Sequence, residues 1–246
     1  GIDSDYAGDW EGAGAAYGRA LACAEATGNV ERQAHLALLL GTLATQRGDD
    51  AVAEERLGRC VALAGEHQLR EYQAMALSSL GDLQIARGEL DAAAGTLARA
   101  EELAASLGEG FHQLPEIYRG QALTVVERDA GRAEAKARRA LDLAREQGEP
   151  REEGRGLRVL AQVLAAGGRL DEAAPLFGQA VALLDEYDPY EAARARGAWA
   201  RALAEREPER AAALRGEARA TFARLGARRD LAALDEAAPA APASGT

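Results

Sequence analysis

The sequence has little of what marks most β-proteins. Aromatic residues make up only 4% of its 246 residues, and alanine recurs along the whole chain. Strands of sandwiches and barrels are rich in aromatic and β-branched residues, so this composition excludes an ordinary sandwich or barrel. It predicts helices that pack closely through small side chains.

Cysteine and long apolar runs are scarce as well. Cys23 and Cys60 are the two cysteines, and they form no CxxC pair and predict no disulfide framework. We expect both to be core thiols. No run approaches the ~18 apolar residues of a membrane span, and the first residues do not form a signal peptide. These absences predict a cytoplasmic protein that does not contact a membrane.

Positive charge is also in short supply. Lys and Arg number 29 against 40 Asp and Glu, which gives a net charge of −11. An acidic chain is a poor electrostatic match for nucleic acid, so we expect no direct contact with it. The 48% share of hydrophobic residues is nevertheless enough for a folded core.

A period of forty residues organises the chain. Alanine recurs at that spacing six times, at Ala13, Ala53, Ala93, Ala133, Ala173 and Ala213. A second column contains only small residues: Ala20, Cys60, Ala100, Ala140, Ala180 and Ala220. The two columns are seven residues apart and therefore lie on one face of a helix. A third column, residues 8, 48, 88, 128, 168 and 208, is mostly glycine and marks turns.

Each period contains two helical segments separated by a turn, so each unit is a helical hairpin. Such hairpins cannot bury their apolar faces alone, and they stack into a solenoid. We predict one solenoid over residues 1–237, followed by a flexible tail at 238–246. Its units are 8–28, 29–68, 69–108, 109–148, 149–188 and 189–227, with a capping helix at 228–237. The first unit contains only its second helix.

Two units resemble the tetratricopeptide repeat family. The residues that carry the resemblance are Leu40-Gly41, Gly48-Asp49, Ala53 and Cys60 in one unit, and Leu80-Gly81, Gly88-Glu89, Ala93 and Ala100 in the next. The resemblance implies an all-α fold, a right-handed α-α superhelix of about five and a half hairpins. It also implies that the first helix of each hairpin lines a concave groove that binds a protein or peptide.

The period of forty differs from the family's usual ~34 residues. Forty-residue variants are typical of the sensor domains of large ATP-dependent bacterial transcriptional regulators that resemble the maltose-regulon activator and often end in a LuxR-type DNA-binding domain. Residues 218–227 look like the last repeat of those proteins. The chain begins inside a repeat, which we interpret as a piece of a longer protein whose adjacent domains are further partners.

Catalytic and cofactor motifs do not occur in this sequence. His35, His67 and His112 fall at three different places in the repeat and form no HExxH. The chain has no GxSxG, no phosphate-binding GxxxxGK[ST] and no glycine-rich dinucleotide turn. We therefore predict neither an enzyme nor a metal or cofactor site.

The candidate binding residues are those that the resemblance assigns to the concave groove. They change from polar, through apolar, to a pair of arginines along the chain: His35, Thr42, Gln46, Met75, Ser78, Asp82, Tyr118, Arg155, Arg158 and Gln162. The two arginines are suited to a carboxylate of an extended peptide or helix. Alternatively, they pair with neighbouring Glu152, Glu153 or Asp185, and the groove is merely solvated.

We therefore interpret the chain as a module that binds a protein or peptide, acting as the sensor part of a bacterial regulator. Two alternatives stay open. The repeats could be a passive scaffold for a complex or an oligomer, or they could regulate an enzyme whose catalytic part lies elsewhere.

Overall fold

The computed structural model describes residues 9–108 and 111–236, and this part of the chain forms helices and no strand. The prediction of an all-α solenoid is confirmed. The helices, numbered in chain order, are α1 Trp10–Ala26, α2 Val30–Arg47, α3 Asp50–Glu66, α4 Arg70–Ala86, α5 Leu90–Leu107, α6 Leu114–Val125, α7 Ala130–Gln147, α8 Pro150–Ala166, α9 Leu170–Tyr187, α10 Pro189–Leu203, α11 Pro208–Leu225 and α12 Arg228–Glu236. The expected tail, residue 237 and Gly8 lie outside the described residues. None of the helices described is long and apolar enough to cross a membrane.

Consecutive helices pack against one another, and the even-numbered helices from α2 to α10 also contact each other. Because each of these five helices contacts the next one directly, they lie side by side along one face of the solenoid. We call α2, α4, α6, α8 and α10, together with α12 that follows them in the alternation, the inner helices and the others the outer helices.

The first alanine column lies at the contact between helices. Ala13, Ala53, Ala93, Ala133 and Ala173 are all completely buried. A side chain of one carbon lets the backbones of neighbouring helices approach closely. The column therefore sets the spacing of the hairpins.

The last unit departs from the forty-residue prediction. Ala213 and Ala220 are exposed, and Ala211 and Ala218 are buried in their place. The helices α7, α8 and α9 begin at residues 130, 150 and 170, but α10 and α11 begin at residues 189 and 208. The intervals from the start of α9 to that of α10, and from α10 to α11, are each one residue shorter than the two before them. The buried alanines therefore come two residues earlier than the period predicts.

The Leu-Gly motif has a steric cause. A Cβ placed on Gly41 would lie 2.7 Å from the side chain of Leu57, and one on Gly81 would lie 2.6 Å from Leu97. Both distances are shorter than any real carbon contact. Glycine is therefore required where an inner helix meets the leucine of its outer partner.

The two cysteines differ in environment. Cys60 is completely buried, and burial raises the pKa of its thiol to about 12. Cys23 is exposed, so the prediction of a second core thiol was wrong. It lies on α1, at a position where later units have leucine, and no earlier hairpin among the described residues covers it.

The two ends of the solenoid meet. Trp10 at the start of α1 packs edge-to-face on Tyr190 of α10, with the ring centroids 5.3 Å apart. Tyr190 also packs on Phe222 of α11. Phe222 belongs to the same apolar cluster as Leu21 and Leu43 from the start of the chain. The two ends of the described solenoid are therefore in contact after about one superhelical turn. The sequence did not predict this feature.

Ala93→Leu should destabilise the fold by about 1–3 kcal/mol, because a larger side chain overpacks a contact that has no free space. Urea unfolding followed by circular dichroism measures the change. Ala92→Leu is the matched control, since Ala92 is exposed on the same helix. An equal midpoint for the two variants would refute the role of the alanine column.

Gln68→Gly should stabilise the protein. Gln68 is exposed and has a φ of 56°, in the left-handed region where equivalent turns have Gly28 and Gly148. Replacing it with glycine removes the steric cost of that backbone and should raise the unfolding free energy by about 0.5–1 kcal/mol. Glu55→Gly, in the middle of α3, should instead lower it by about 1 kcal/mol. Loss of stability in both variants would contradict the assignment of strain to Gln68.

Candidate functional site

A carboxylate followed three residues later by an arginine recurs on the inner helices. The pairs are Glu116 and Arg119 on α6, Glu152 and Arg155 on α8, and Glu191 and Arg194 on α10, and Asp230 on α12 continues the series of carboxylates. Each carboxylate is the third residue of its helix, and each arginine is the sixth. We call these seven residues the charge ladder.

The ladder joins each inner helix to the next. Arg119 of α6 donates a hydrogen bond to Glu152 of α8. Arg155 of α8 contacts Glu191 of α10 at 4.0 Å, and Arg194 of α10 contacts Asp230 of α12 at 3.9 Å. Ion pairs within a helix close the gaps, at 3.1 Å between Arg155 and Glu152 and 2.8 Å between Arg194 and Glu191. The result is a continuous chain of alternating charges across four helices.

Asp188 connects the ladder to a helix cap. Its Oδ1 accepts a hydrogen bond at 3.1 Å from the backbone N–H of Glu191, as the sequence Asp188-Pro189 predicts for an N-cap. Its Oδ2 accepts one at 2.7 Å from Arg155. The start of α10 and the position of the Arg155 guanidinium are therefore set by one side chain.

The pKa values within the ladder follow from burial and neighbouring charge. Burial alone would raise the pKa of Glu191, but Arg194 and Arg158 outweigh it and hold this pKa well below its ordinary value. Burial likewise opposes ionisation of Glu152, and Arg119 and Arg155 still lower its pKa. Both glutamates are ionised at neutral pH.

The first carboxylate of the ladder has a different environment. No arginine precedes Glu116, because Met75 is the sixth residue of α4, where the later inner helices have arginine. Ser78 donates a hydrogen bond to Glu116 at 3.1 Å. Burial, together with the charge of Asp82, raises the pKa of Glu116 to about 8. Burial and the neighbouring carboxylate therefore favour the protonated form of this carboxyl group.

The structure brings five of the sequence-predicted groove residues to the ladder. Ser78 contacts Glu116, Arg155 is part of the ladder, and Arg158 lies 3.0 Å from Glu191. Gln162 accepts a hydrogen bond at 2.9 Å from Arg158. Burial raises the pKa of Asp82, while the charges of Arg119 and Arg194 oppose that rise.

The other predicted residues lie elsewhere. His35 is half-buried and packs on Tyr72, with the ring centroids 5.5 Å apart. Thr42, Gln46 and Met75 are half-buried on α2 and α4. The ring of Tyr118 lies under Lys136 of outer helix α7, at 4.5 Å, so Tyr118 points away from the ladder.

The alternative pairing expected for the arginines is correct in part. Arg155 does pair with Glu152, but Glu153 pairs with Arg145 and Asp185 with Arg196. The partners that the sequence argument missed are Asp188 and Glu191. The sequence pattern that could have identified the ladder is the repeated Glu-x-x-Arg. Its copies are 36 and then 39 residues apart, so a search for a period of forty residues does not find it.

Two hydrogen-bond donors in this region are unused. The Nε atoms of Arg155 and Arg158 are buried and donate no hydrogen bond among the described residues, and the Nε of Arg155 lies 4.0 Å from Glu191. Arg158 as a whole is only 5% exposed. Buried polar groups nearly always have a hydrogen-bond partner, so two such donors on neighbouring turns of one helix are unusual. No group of side chains that could hold a metal ion occurs in the described ranges.

The helices described form an α-α solenoid of helical hairpins, an architecture that is similar to TPR-like repeats. Three solved structures share this fold. BtubC (BKLC) from P. vanneervenii matches with a TM-score of 0.60 and 20% identity, over 96% of each chain. A Rap protein complexed with competence and sporulation factor matches with a TM-score of 0.61 and 13% identity, over 85% of this chain and 65% of that one.

A Podosopora anserina protein assigned as a kinesin light chain, with nearly identical TPR-like repeats, matches with a TM-score of 0.51 and 19% identity. The match covers 76% of this chain and 93% of that one. No protein-family model matches the sequence, and no curated protein matches it significantly. At these identities the comparisons define the fold.

Glu116→Gln should remove part of the pH dependence of stability. Folding raises the pKa of Glu116 from its ordinary value of 4.5 to about 8, so its contribution is complete below about pH 4.5 and is lost as the pH rises through about 8. The groups facing it are Ser78, Asp82, Gln113, Arg119, Glu152 and Arg155. Urea midpoints between pH 5 and 9 should fall less steeply in the variant than in the wild type.

Glu55→Gln, an exposed carboxyl on outer helix α3, is the control and should keep the wild-type slope. A Glu116→Gln variant with an unchanged slope would show that this carboxyl group is not protonated in the folded protein.

Proposed function

We propose that this chain is a binding module that takes a protein or peptide against its inner face. The observation that carries the proposal is the pair of unused donors, the Nε atoms of Arg155 and Arg158. Both arginines also pair with carboxylates, so their orientation is fixed before a ligand arrives. Fixed donors lose less entropy on binding.

The ligand that suits this site offers acceptor oxygens. Arginine donors bind carboxylates and carbonyl groups well, and hydrogen bonds from a charged donor are stronger than neutral ones. An extended peptide carries a carbonyl at every residue and a carboxylate at its end or on acidic side chains. Alternating charges on the ladder would accommodate both signs along such a peptide.

The cost of burying the ladder supports a role in recognition. Charges removed from water carry a penalty of several kcal/mol each, and a well-packed apolar seam is often as stable or more so. The buried clusters between inner and outer helices are apolar, for example around Phe177 and Leu57, and need no charge. Paired charges that are mostly buried, as in this ladder, suit a surface that binds a ligand.

The comparisons support a binding role of this kind. The Rap protein of similar fold is complexed with a factor. Together with the resemblance of residues 218–227 to the last repeat of large bacterial regulators, this leads us to the finer proposal that the chain is a cytoplasmic sensor within a transcriptional regulator. Ligand binding would shift the solenoid between two shapes and so signal to an adjacent domain.

Arg155→Lys and Arg158→Lys test the site. Lysine keeps the positive charge and removes the Nε donor, so each variant should bind about tenfold more weakly, the effect of losing one charged hydrogen bond. The ligand is a peptide selected from a random library on the full wild-type chain, and isothermal titration gives the affinity.

Arg138→Lys is the matched control. It is the same substitution on outer helix α7, outside the ladder, and Arg138 Nε already donates a hydrogen bond to Glu134. It should leave the affinity within about twofold. Peptides that bind all three variants as tightly as the wild type would place the binding surface elsewhere, and the proposal would fail.

A further inference from the structure

Two arginines in the first turn of α12 contact a turn near the start of the chain. Arg228 pairs with Asp49, and Arg229 pairs with Asp50 and donates to the carbonyl of Thr45. The hydrogen-bonded residues are 179 to 184 positions apart in sequence. The backbones are also close, since a Cβ on Gly48 would lie 3.0 Å from the backbone nitrogen of Arg229.

These arginines are not explained by the helix that carries them. The start of a helix has a positive partial charge, and basic residues there are unfavourable. Asp49 and Asp50 lie at the start of α3, where acidic residues are favourable. The carbonyl of Thr45 lies in the last turn of α2, which has a negative partial charge. Contact between the two ends therefore accounts for arginine at both positions.

The two ion pairs of this contact are partly exposed. The Arg228 side chain is 65% exposed and that of Asp49 is 32% exposed. Exposed ion pairs contribute little each, and salt screens them. Besides these pairs, the ends are joined by the Trp10 and Tyr190 rings and the apolar cluster around Phe222.

Two charged residues of the inner helices are almost completely buried. Arg158 and Glu191 are each 5% exposed. Hydrogen bonding between Tyr190 and Asp230, at 3.0 Å, ties α10 of the ladder to the same helix that carries Arg228 and Arg229. The helix that carries Arg228 and Arg229 is therefore hydrogen-bonded to a helix of the ladder.

We propose that Arg228 and Arg229, with Asp49 and Asp50, form an electrostatic latch that holds the solenoid closed, and that release of the latch opens the inner face. The latch is a property of the chain alone. Only its role in admitting a ligand rests on the proposed function.

Fluorescence transfer between dyes on the two ends tests the latch without any ligand. Ala51→Cys on α3 and Ala232→Cys on α12 are exposed labelling sites, in a Cys23→Ser background. The buried Cys60 stays unreactive because its pKa is about 12. Single-molecule measurements should show one high-transfer population for the full chain at 0.05 M NaCl.

Arg228→Glu combined with Arg229→Glu should shift the ratio of closed to open molecules by about tenfold towards a low-transfer population. Adding Asp49→Arg and Asp50→Arg should restore closure. The control, Arg138→Glu with Arg139→Glu, reverses two exposed neighbouring arginines on outer helix α7 and should leave the populations unchanged.

Salt tests the latch without any charge-reversal substitution, so a variant that fails to fold cannot affect the result. Raising NaCl to 1 M shortens the screening length from about 10 Å at 0.1 M to about 3 Å, and it should populate the open form of the unsubstituted labelled chain. If transfer is unchanged both by salt and by the double reversal, while circular dichroism stays helical, the latch does not exist. That result would leave peptide binding untouched, and loss of binding would likewise leave the latch intact.

Discussion

Close contact between helices through alanine and glycine is the constraint on which the rest of the structure depends. The completely buried alanines on the outer helices bring neighbouring backbones together, and Gly41 and Gly81 let each leucine of the outer helix reach its inner partner. Tight packing of the hairpins places successive inner helices side by side. Only at that spacing can an arginine on one inner helix reach a carboxylate on the next.

Much of the fold could be predicted because the spacing of alanine and glycine within each repeat indicates where its helices and turns lie. Alanine columns, turn glycines and the Asp188-Pro189 cap all depend on residues close together in sequence. The errors arose where spacing changed, as at Ala213 and Ala220, which are exposed because two connections are each one residue shorter. The prediction that Cys23 is a core thiol was wrong for a related reason, since burial of that position depends on a neighbouring hairpin.

The candidate site was less accessible to sequence reasoning. The sequence placed Arg155 and Arg158 on the inner face, but their partners Asp188 and Glu191 belong to the next hairpin. The spacing between equivalent residues of successive inner helices is not a constant forty, so a search at that period does not align these arginines with their partners. The contact between the two ends could not be predicted from the sequence, because it joins Trp10 to Tyr190 and Arg229 to Asp50 across nearly the whole chain. Contacts of that separation leave no periodic trace.

The central claim is that ligand oxygens bind the unused Nε donors inside the solenoid. Nitrogen-15 spectra of the arginine Nε–H groups, recorded with and without a library-selected peptide, test it most directly, with the signals assigned from Arg155→Lys and Arg158→Lys. Our account predicts that peptide moves these two signals and leaves that of Arg138, on an outer helix, in place. Peptide-induced shifts confined to outer-helix arginines would contradict it.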